Sequence, residues 1–515
     1  MRPVVSVIDW GVFIAAFIFF IFLGFYGSRW RRGDLNQLHE WALAGRRLGT
    51  FLVWFLVGAD LYTAYTFIAV PSGMFATGAL YFFAVPYVAT TFIVAAVTMP
   101  VLWRWSRQRG YVTAADFVQD RFNSKLLAGF VAITGIIAEF PYIALQIIGL
   151  QAVLTIMLLG IVKSIKLVSD LALTIAFIIL AAFTYTSGLR GATLTAVLKD
   201  AIIFLSIIAI LVAAPIVIPG AFSTAFKEAA LIASGKDPPL ASGVYFLKTP
   251  FIAAYTTLWV GSALALYLYP HAVNGALSAE SDRKLAISTA LLPIYGIGLA
   301  LLAIYGILVY GDSAAMNILK LFPPSSRGVL AIPTLAITVL PPGLAGLALL
   351  GIFIGGLVPA AIMAMSQANL LVRNIIKPLY PRVTPQGETR IAKWASAIFK
   401  FLALGFVFIV PATYAIWLQL LGGIIIAQTL PAVFLGLLTD KLDKYSLMVG
   451  WAVGFGLGVY LFIAAHESPL YPILGYPIYI AVIALAVNLL IVLVGSGIAM
   501  AVRGSKAEVR VKGAQ

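Results

Sequence analysis

The sequence predicts an all-α polytopic membrane protein with about thirteen transmembrane helices. Three observations carry this prediction. Of 515 residues, 62% are hydrophobic and only 10% charged, against about 25% charged in soluble domains. The apolar residues fall into runs of about 20, the length that crosses a bilayer. Most of the basic residues lie between alternate runs.

Thirteen runs follow in order, and they are numbered as spans 1 to 13: 6–27, 51–75, 78–102, 126–158, 167–187, 191–218, 250–275, 285–311, 342–372, 394–411, 414–438, 446–465 and 474–500. The run Val5–Gly27 is too long for a signal-peptide core and lacks a small-residue cleavage site, so it is expected as a retained helix. Span 4 is overlong and is expected to tilt or to extend past the bilayer. Of the 34 Lys and Arg, 24 fall in the loops 28–49, 103–125, 188–190, 276–284, 373–393 and 439–445 and in the tail 501–515. Positive loops resist translocation, which puts the N-terminus outside and the C-terminus in the cytoplasm. Two long outer loops, 219–249 and 312–341, carry the pairs Pro238-Pro239, Pro323-Pro324 and Pro341-Pro342, and short helices are expected over the outer face.

A net charge of +15 raises nucleic acid as a partner, but the loop bias explains it and no nucleic-acid partner is expected. There are no cysteines for disulfides or thiolate metal sites, and three histidines make no structural zinc site. No phosphate loop, HExxH or GxSxG elbow is present. The polar residues are too dispersed for a membrane enzyme, and no channel filter motif is seen. The protein is not expected to be an enzyme or to need a cofactor.

Charge inside a membrane costs a few kcal/mol or more, so each buried charge asks for a function. Asp60 sits near mid-depth in span 2, among Thr63, Tyr65 and Thr66, with Gly58 before it and Pro71-Ser72-Gly73 after. Gly and β-branched residues lower helix propensity, so this span is expected to break. Broken backbone at mid-membrane frees groups that transporters use to hold ions and anions. The bland reading is an unbroken helix with Asp60 paired to a base. Lys199-Asp200 lies roughly 12 Å into span 6, deeper than snorkelling explains. Adjacent helical residues point about 100° apart, so the two are not expected to meet face to face. Glu139, before Phe140-Pro141 in span 4, reads equally as a functional or a structural carboxylate. Lys400 reads as structural, and His271 follows Pro270 near a helix end. In span 9 small residues, among them Gly355, Gly356, Ala360, Ala361, Ala364 and Ala368, allow close helix approach. Ser366, Gln367 and Asn369 add polar groups there.

HEWALAGRRLG (39–49), TAYTFIAVPSG (63–73), VTAADFVQDRF (112–122), PYIALQIIG (141–149), SGLRGATLTAVLKD (187–200), LYPHAVNGALS (268–278) and VPAAIMAMSQANLLVRNI (358–375) resemble the sodium/solute symporter family, in the same order. The chain is most similar to the monocarboxylate-permease-like branch. The resemblance covers most of the chain and implies one transporter domain with a LeuT-type five-plus-five inverted repeat. Residues 1–50 hold the first helix and a cytoplasmic loop, 51–218 the first repeat, 250–438 the second, and 439–515 the last two helices and the tail.

The resemblance implies a secondary active symporter in the plasma membrane, a multi-pass protein in the lipid bilayer, with a monomer sufficient for transport. Its substrate is implied to be a small organic molecule, a monocarboxylate in this branch. A sodium-coupled amino-acid or sugar symporter, and a non-transporting sensor of the same fold, are the alternatives. Sensors often carry a long cytoplasmic domain, which the tail after 501 does not provide. Family members hold sodium between carbonyls and two hydroxyl side chains. Matching places the carbonyls at Ala59, Tyr62 and Ala361 and the hydroxyl positions at Ala364 and Met365, which offer no side-chain oxygen to a hard cation. The coupling-cation set is therefore Ala59, Asp60, Tyr62, Lys199, Asp200, Ala361, Ala364, Met365 and Ser366. The coupling ion is a proton carried by Lys199 or Asp60, or sodium at Ala59, Tyr62 and Ala361 with help from Asp60 and Ser366. Thr63, Tyr65, Thr66, Phe67, Gln146, Tyr255, Thr257 and Trp259 are the candidate substrate-lining residues, the last three being guesses on span 7. Exposed amides at the break would suit an anion.

Overall fold

A computed structural model describes residues 3–31, 33–234, 240–409 and 415–512. Among these residues twelve helices are long and apolar enough to cross a membrane, and a bent pair makes a thirteenth. They follow the expected order, from Val7–Tyr26 to Ile480–Val502.

Span 2 is broken as its composition predicts. Thr50–Leu61 and Tyr65–Thr77 meet at 47°. Tyr62 leaves the helix (φ −89°, ψ 75°), and the second half opens with a π-helical turn over Tyr65–Ala69. The break is closed by side chains. Gln146 of span 4 accepts the Ala64 amide at 2.8 Å, and Thr63 Oγ1 accepts the Tyr65 amide at 3.1 Å. Gly58 lets this segment lie against span 8: a Cβ there would stand 2.0 Å from Cζ of Tyr295.

Span 7 is also interrupted. Its first part, Thr249–Leu268, is followed by an extended Tyr269 (φ −62°, ψ 135°) and the half-helix Pro270–Leu277. Proline disfavours helical backbone in the residue before it and has no N–H to donate, so Pro270 both ends one half and starts the other.

Span 9, Leu344–Leu379, is the axis of the molecule. Its most apolar stretch is 94% buried, against 22% for span 1 at the periphery. Span 9 packs on spans 4, 6 and 10. The fit to span 4 depends on Gly356, where a Cβ would stand 2.3 Å from a Leu150 methyl and 2.8 Å from the Gln146 carbonyl. Without a hydrophobic force between helices in lipid, such close backbone contact supplies the association.

The outer loops depart from a simple covering layer. Ala221–Ser234 and Ser313–Leu319 are short helices, but Pro324–Val339 is buried along most of its length and packs on spans 2 and 4. The Pro238-Pro239 pair lies outside the described residues. Span 13 begins at Ile480, not at 474, because Leu470–Ile473 and Tyr476–Tyr479 form an antiparallel hairpin. Its two-residue turn, Leu474-Gly475, takes φ of 51° and 84°. That is the twist a two-residue hairpin requires, and a leucine in that position hides it from a sequence reading.

Gly58→Ala is expected to displace the Tyr295 ring and destabilise the protein by about 1–3 kcal/mol. Gly11→Ala, whose added Cβ meets nothing within 4 Å, should leave thermal unfolding in detergent unchanged. Equal melting of the two variants would contradict the packing described.

Candidate functional site

The break in span 2 frees main-chain carbonyls in the middle of the membrane, and a side chain satisfies them. Lys199 Nζ donates to the carbonyls of Ala59 at 2.9 Å and Tyr62 at 2.7 Å. It also lies 3.0 Å from Asp200 Oδ1. An ammonium has three protons and here faces three oxygens. Lys199 and Asp200 are both fully buried. The expectation that these neighbours do not meet is therefore corrected. Lys199 reaches span 2, and Asp200 lies beside its ammonium. Asp200 Oδ2 accepts from Tyr295 Oη at 2.6 Å, and Tyr62 Oη donates to the Tyr295 carbonyl at 3.0 Å. Spans 2, 6 and 8 are thereby tied around one ammonium.

The other residues expected at the cation site divide. Ala361, Ala364 and Met365 are buried in span 9 and present no side-chain oxygen. Ser366 Oγ turns away, donating to the Met363 carbonyl at 2.7 Å and lying 3.2 Å from Glu139 Oε1. Two of the carbonyls assigned to sodium, those of Ala59 and Tyr62, are held by Lys199. Among the described residues no group of three or more His, Asp and Glu is arranged for a metal.

Asp60 is buried and neither of its oxygens has a partner. It lies in the field of His271 and Lys199 on one side of the charge balance and of Glu139 and Asp200 on the other. Gly275 faces it, where a Cβ would stand 3.6 Å from Oδ2.

A second buried ion pair lies at the break of span 7. Glu139 Oε1 accepts from the His271 main-chain N–H at 3.1 Å and from its Nδ1 at 2.8 Å. Both side chains are fully buried, and Tyr142 and Tyr269 flank the imidazole with ring centroids 5.4 Å and 5.5 Å away. Sequence reasoning singled out each residue without joining them. The signal was Pro270 inside an apolar run, which marks a break whose first free amide, that of His271, needs an acceptor.

Of the expected substrate-lining residues, Thr63, Tyr65, Thr66, Phe67 and Gln146 gather at the break of span 2. Tyr65 Oη is buried without a partner, whereas Thr66 bonds back to the Leu61 carbonyl. Of the amides at this break, expected to suit an anion, that of Ala64 is capped by Gln146. Thr257 and Trp259 do not join this group. Thr257 accepts the Tyr479 amide of the hairpin at 3.0 Å, and Trp259 Nε1 donates to Thr90 on span 3 at 2.9 Å. Tyr255, in the same first half of span 7, is partly buried against the core. Lys400 bonds Ser396 of its own helix at 2.8 Å.

On the face bearing the 28–49 and 103–125 loops, buried Arg46 donates to the carbonyls of Leu277 and Tyr111. Burial, with Arg107 nearby, pulls its guanidinium down to about 10, still cationic at neutral pH. Asn374 and Arg373 at the end of span 9 bind Asp116 at 2.8 Å and 3.3 Å.

Residues 41–454 match the sodium:solute symporter family. The chain is 40% identical to a monocarboxylate transport permease protein of Rhizobium johnstonii over 94% of its length and 96% of that protein's. It is 31% identical to the uncharacterized symporter YodF of Bacillus subtilis, over 87% and 86% of the two chains. It is 24% identical to a sodium/pantothenate symporter of Haemophilus influenzae, over 82% and 88%. Among solved structures, a substrate-bound, outward-open Na+-coupled sialic acid symporter superposes with a TM-score of 0.72 at 15% identity, over 96% of this chain and 98% of that one.

Lys199→Ala leaves Asp200 and two carbonyls unpaired and is expected to cost about 3–5 kcal/mol. Asp60→Asn removes a charge that has no partner, and its stability should stay within about 0.5 kcal/mol of the parent or rise. Thermal unfolding in detergent compares them, and the reverse ranking would contradict this geometry.

Proposed function

Because the chain belongs to the sodium:solute symporter family, we propose that it is a proton-coupled symporter of small monocarboxylates in which Lys199 carries the coupling proton. Cation-coupled solute transport across the membrane follows from the family and its relatives. The proton rests on one observation: the Lys199 ammonium sits on the carbonyls of Ala59 and Tyr62, where the family resemblance places sodium. A protonated lysine is a tethered monovalent cation. When it loses its proton, the break loses its charge compensation. Loading and unloading a proton on Lys199 then does what binding and release of a free ion would do. Each protonation state favours a different conformation, which is the requirement for driving alternating access.

The monocarboxylate is supported by the name of the relative from Rhizobium johnstonii. The excess of basic residues in one set of loops supports an outside N-terminus and a cytoplasmic C-terminus. A single transporter domain, with repeats over 51–218 and 250–438 and working as a monomer, completes the reading.

One observation favours a second reading. Asp60 offers two buried, unpartnered oxygens, as a bound sodium would want, and relatives carry sodium in their names.

In proteoliposomes, an inward proton gradient should drive lactate accumulation equally well with sodium replaced by choline. Lys199→Gln should lower that accumulation at least about tenfold while lactate exchange continues, because removing the carrier uncouples transport without closing the path. Accumulation that requires sodium and ignores pH would give the site to sodium instead.

A further inference from the structure

The two breaks are each occupied by a charge tethered to the protein, and the one at span 7 points beyond the coupling ion. We propose that the Glu139 carboxylate is an internal competitor that holds the position of the substrate's carboxylate, and yields it on taking up a proton. This rests on the monocarboxylate reading above.

Four observations converge. First, Glu139 Oε1 alone gathers the His271 main-chain N–H, the His271 Nδ1 and a share of the Ser366 hydroxyl proton, which the Met363 carbonyl also holds. These donors come from spans 7 and 9, and together they form a receptor for one carboxylate oxygen. Second, the His271 amide opens the half-helix Pro270–Leu277. The positive end of that helix favours an anion, and the Glu139 carboxylate supplies it. Third, fully buried polar atoms around this point lack partners: Glu139 Oε2, His271 Nε2 and Asn274 Nδ2. Of these, the Asn274 amide is a donor that a ligand richer in oxygen than the lone Oε1 would satisfy. Fourth, a small cavity adjoins the pair, bounded by Leu268, Pro270, Asn274 and Ser366, with Gly135 of span 4 and Val433 of span 11. It holds about 20 Å³ and extends to Thr113 and Ala114, on the loop-bearing face, so an acid's carbon end needs the room that Glu139 vacates.

The exchange balances simply. A proton from water is added to the Glu139 carboxylate, which then no longer accepts as an anion. The carboxylate of the substrate accepts from His271 N–H, Nδ1–H and Ser366 Oγ–H in its place. One proton is gained for one anion bound, and no other bond changes. The groups facing Glu139 fit this scheme. His271 and Tyr269 come from span 7, Tyr142 from its own span and Asp60 from span 2. Lys400, on neighbouring span 10, is bonded to Ser396. Asp60 is the remaining negative charge, and it repels an unneutralised anion. Protonation of the carboxylates before or with anion binding is therefore the favoured order.

The test is calorimetric titration of L-lactate into the purified full-length protein between pH 6 and pH 8. Each pH is run in two buffers of different ionisation enthalpy, so that protons taken up on binding are counted. The parent protein should bind more weakly as pH rises and take up protons. Glu139→Gln should bind about tenfold more tightly than the parent at pH 8 and take up about one proton fewer, the loss of one charged competitor. His271→Ala should weaken lactate binding at least about tenfold in both backgrounds. If Glu139→Gln does not fold, Ser366→Ala serves in its place. It removes a hydrogen bond to ionised Glu139, favours the protonated form and should shift the pH dependence of binding toward higher pH. Lactate binding by the parent with an unchanged pH profile and proton count in these variants would overturn the competitor role alone. No lactate binding by the parent, with binding of a neutral sugar or amino acid instead, would overturn the monocarboxylate reading and this proposal together.

Discussion

The ammonium of Lys199 on the carbonyls of Ala59 and Tyr62 is the interaction on which the rest of the structure depends. A helix broken at mid-membrane exposes main-chain groups with no water to satisfy them, and each would cost several kcal/mol. The lysine supplies protons and charge to that point at once. Its own burial is tolerable because three oxygens surround it, and Asp200 is in turn held by Tyr295. Remove the break and the lysine keeps only Asp200; remove the lysine and the Ala59 and Tyr62 carbonyls lose its ammonium.

The same logic governs span 7 with the signs reversed. There Pro270 frees an amide, and the carboxylate of Glu139 meets it. One break ends in carbonyls and holds a cation; the other begins with an amide and holds an anion. Both counter-charges are delivered by helices that are themselves unbroken, Lys125–Leu158 and Leu189–Val217. The unbroken helices therefore grip the broken ones through charges, and a charge that can take or lose a proton is a grip that can be released.

Asp60 stands between these two pairs without a partner of its own. Other polar side chains of the membrane region do find partners: Lys400 reaches Ser396, and Gln146 caps Ala64. The small residues of span 9 bring the unbroken helices close enough for the long side chains to reach across. Packing and electrostatics are thus one design, since Gly356 and Gly58 set the separations over which Lys199, Tyr295 and Gln146 act.

The number, order and depth of the spans were determined by the sequence, because a bilayer imposes a single length and a single polarity on every crossing segment. The break in span 2 was legible too, since Gly58, Thr63 and Thr66 weaken a helix locally, and its charged residues stood out against lipid. The hairpin at Leu470–Tyr479 was not, for nothing in Leu474 announces a left-handed turn. Tertiary structure alone decided the partners. Lys199 and Asp200 are neighbours whose helical directions diverge, yet they meet, with the lysine held by the break and the aspartate by Tyr295. Glu139 and His271 are far apart in the chain, and only the packing of span 4 on the half-helix after Pro270 joins them. A sequence fixes how costly a buried charge is; the fold decides which other charge relieves it.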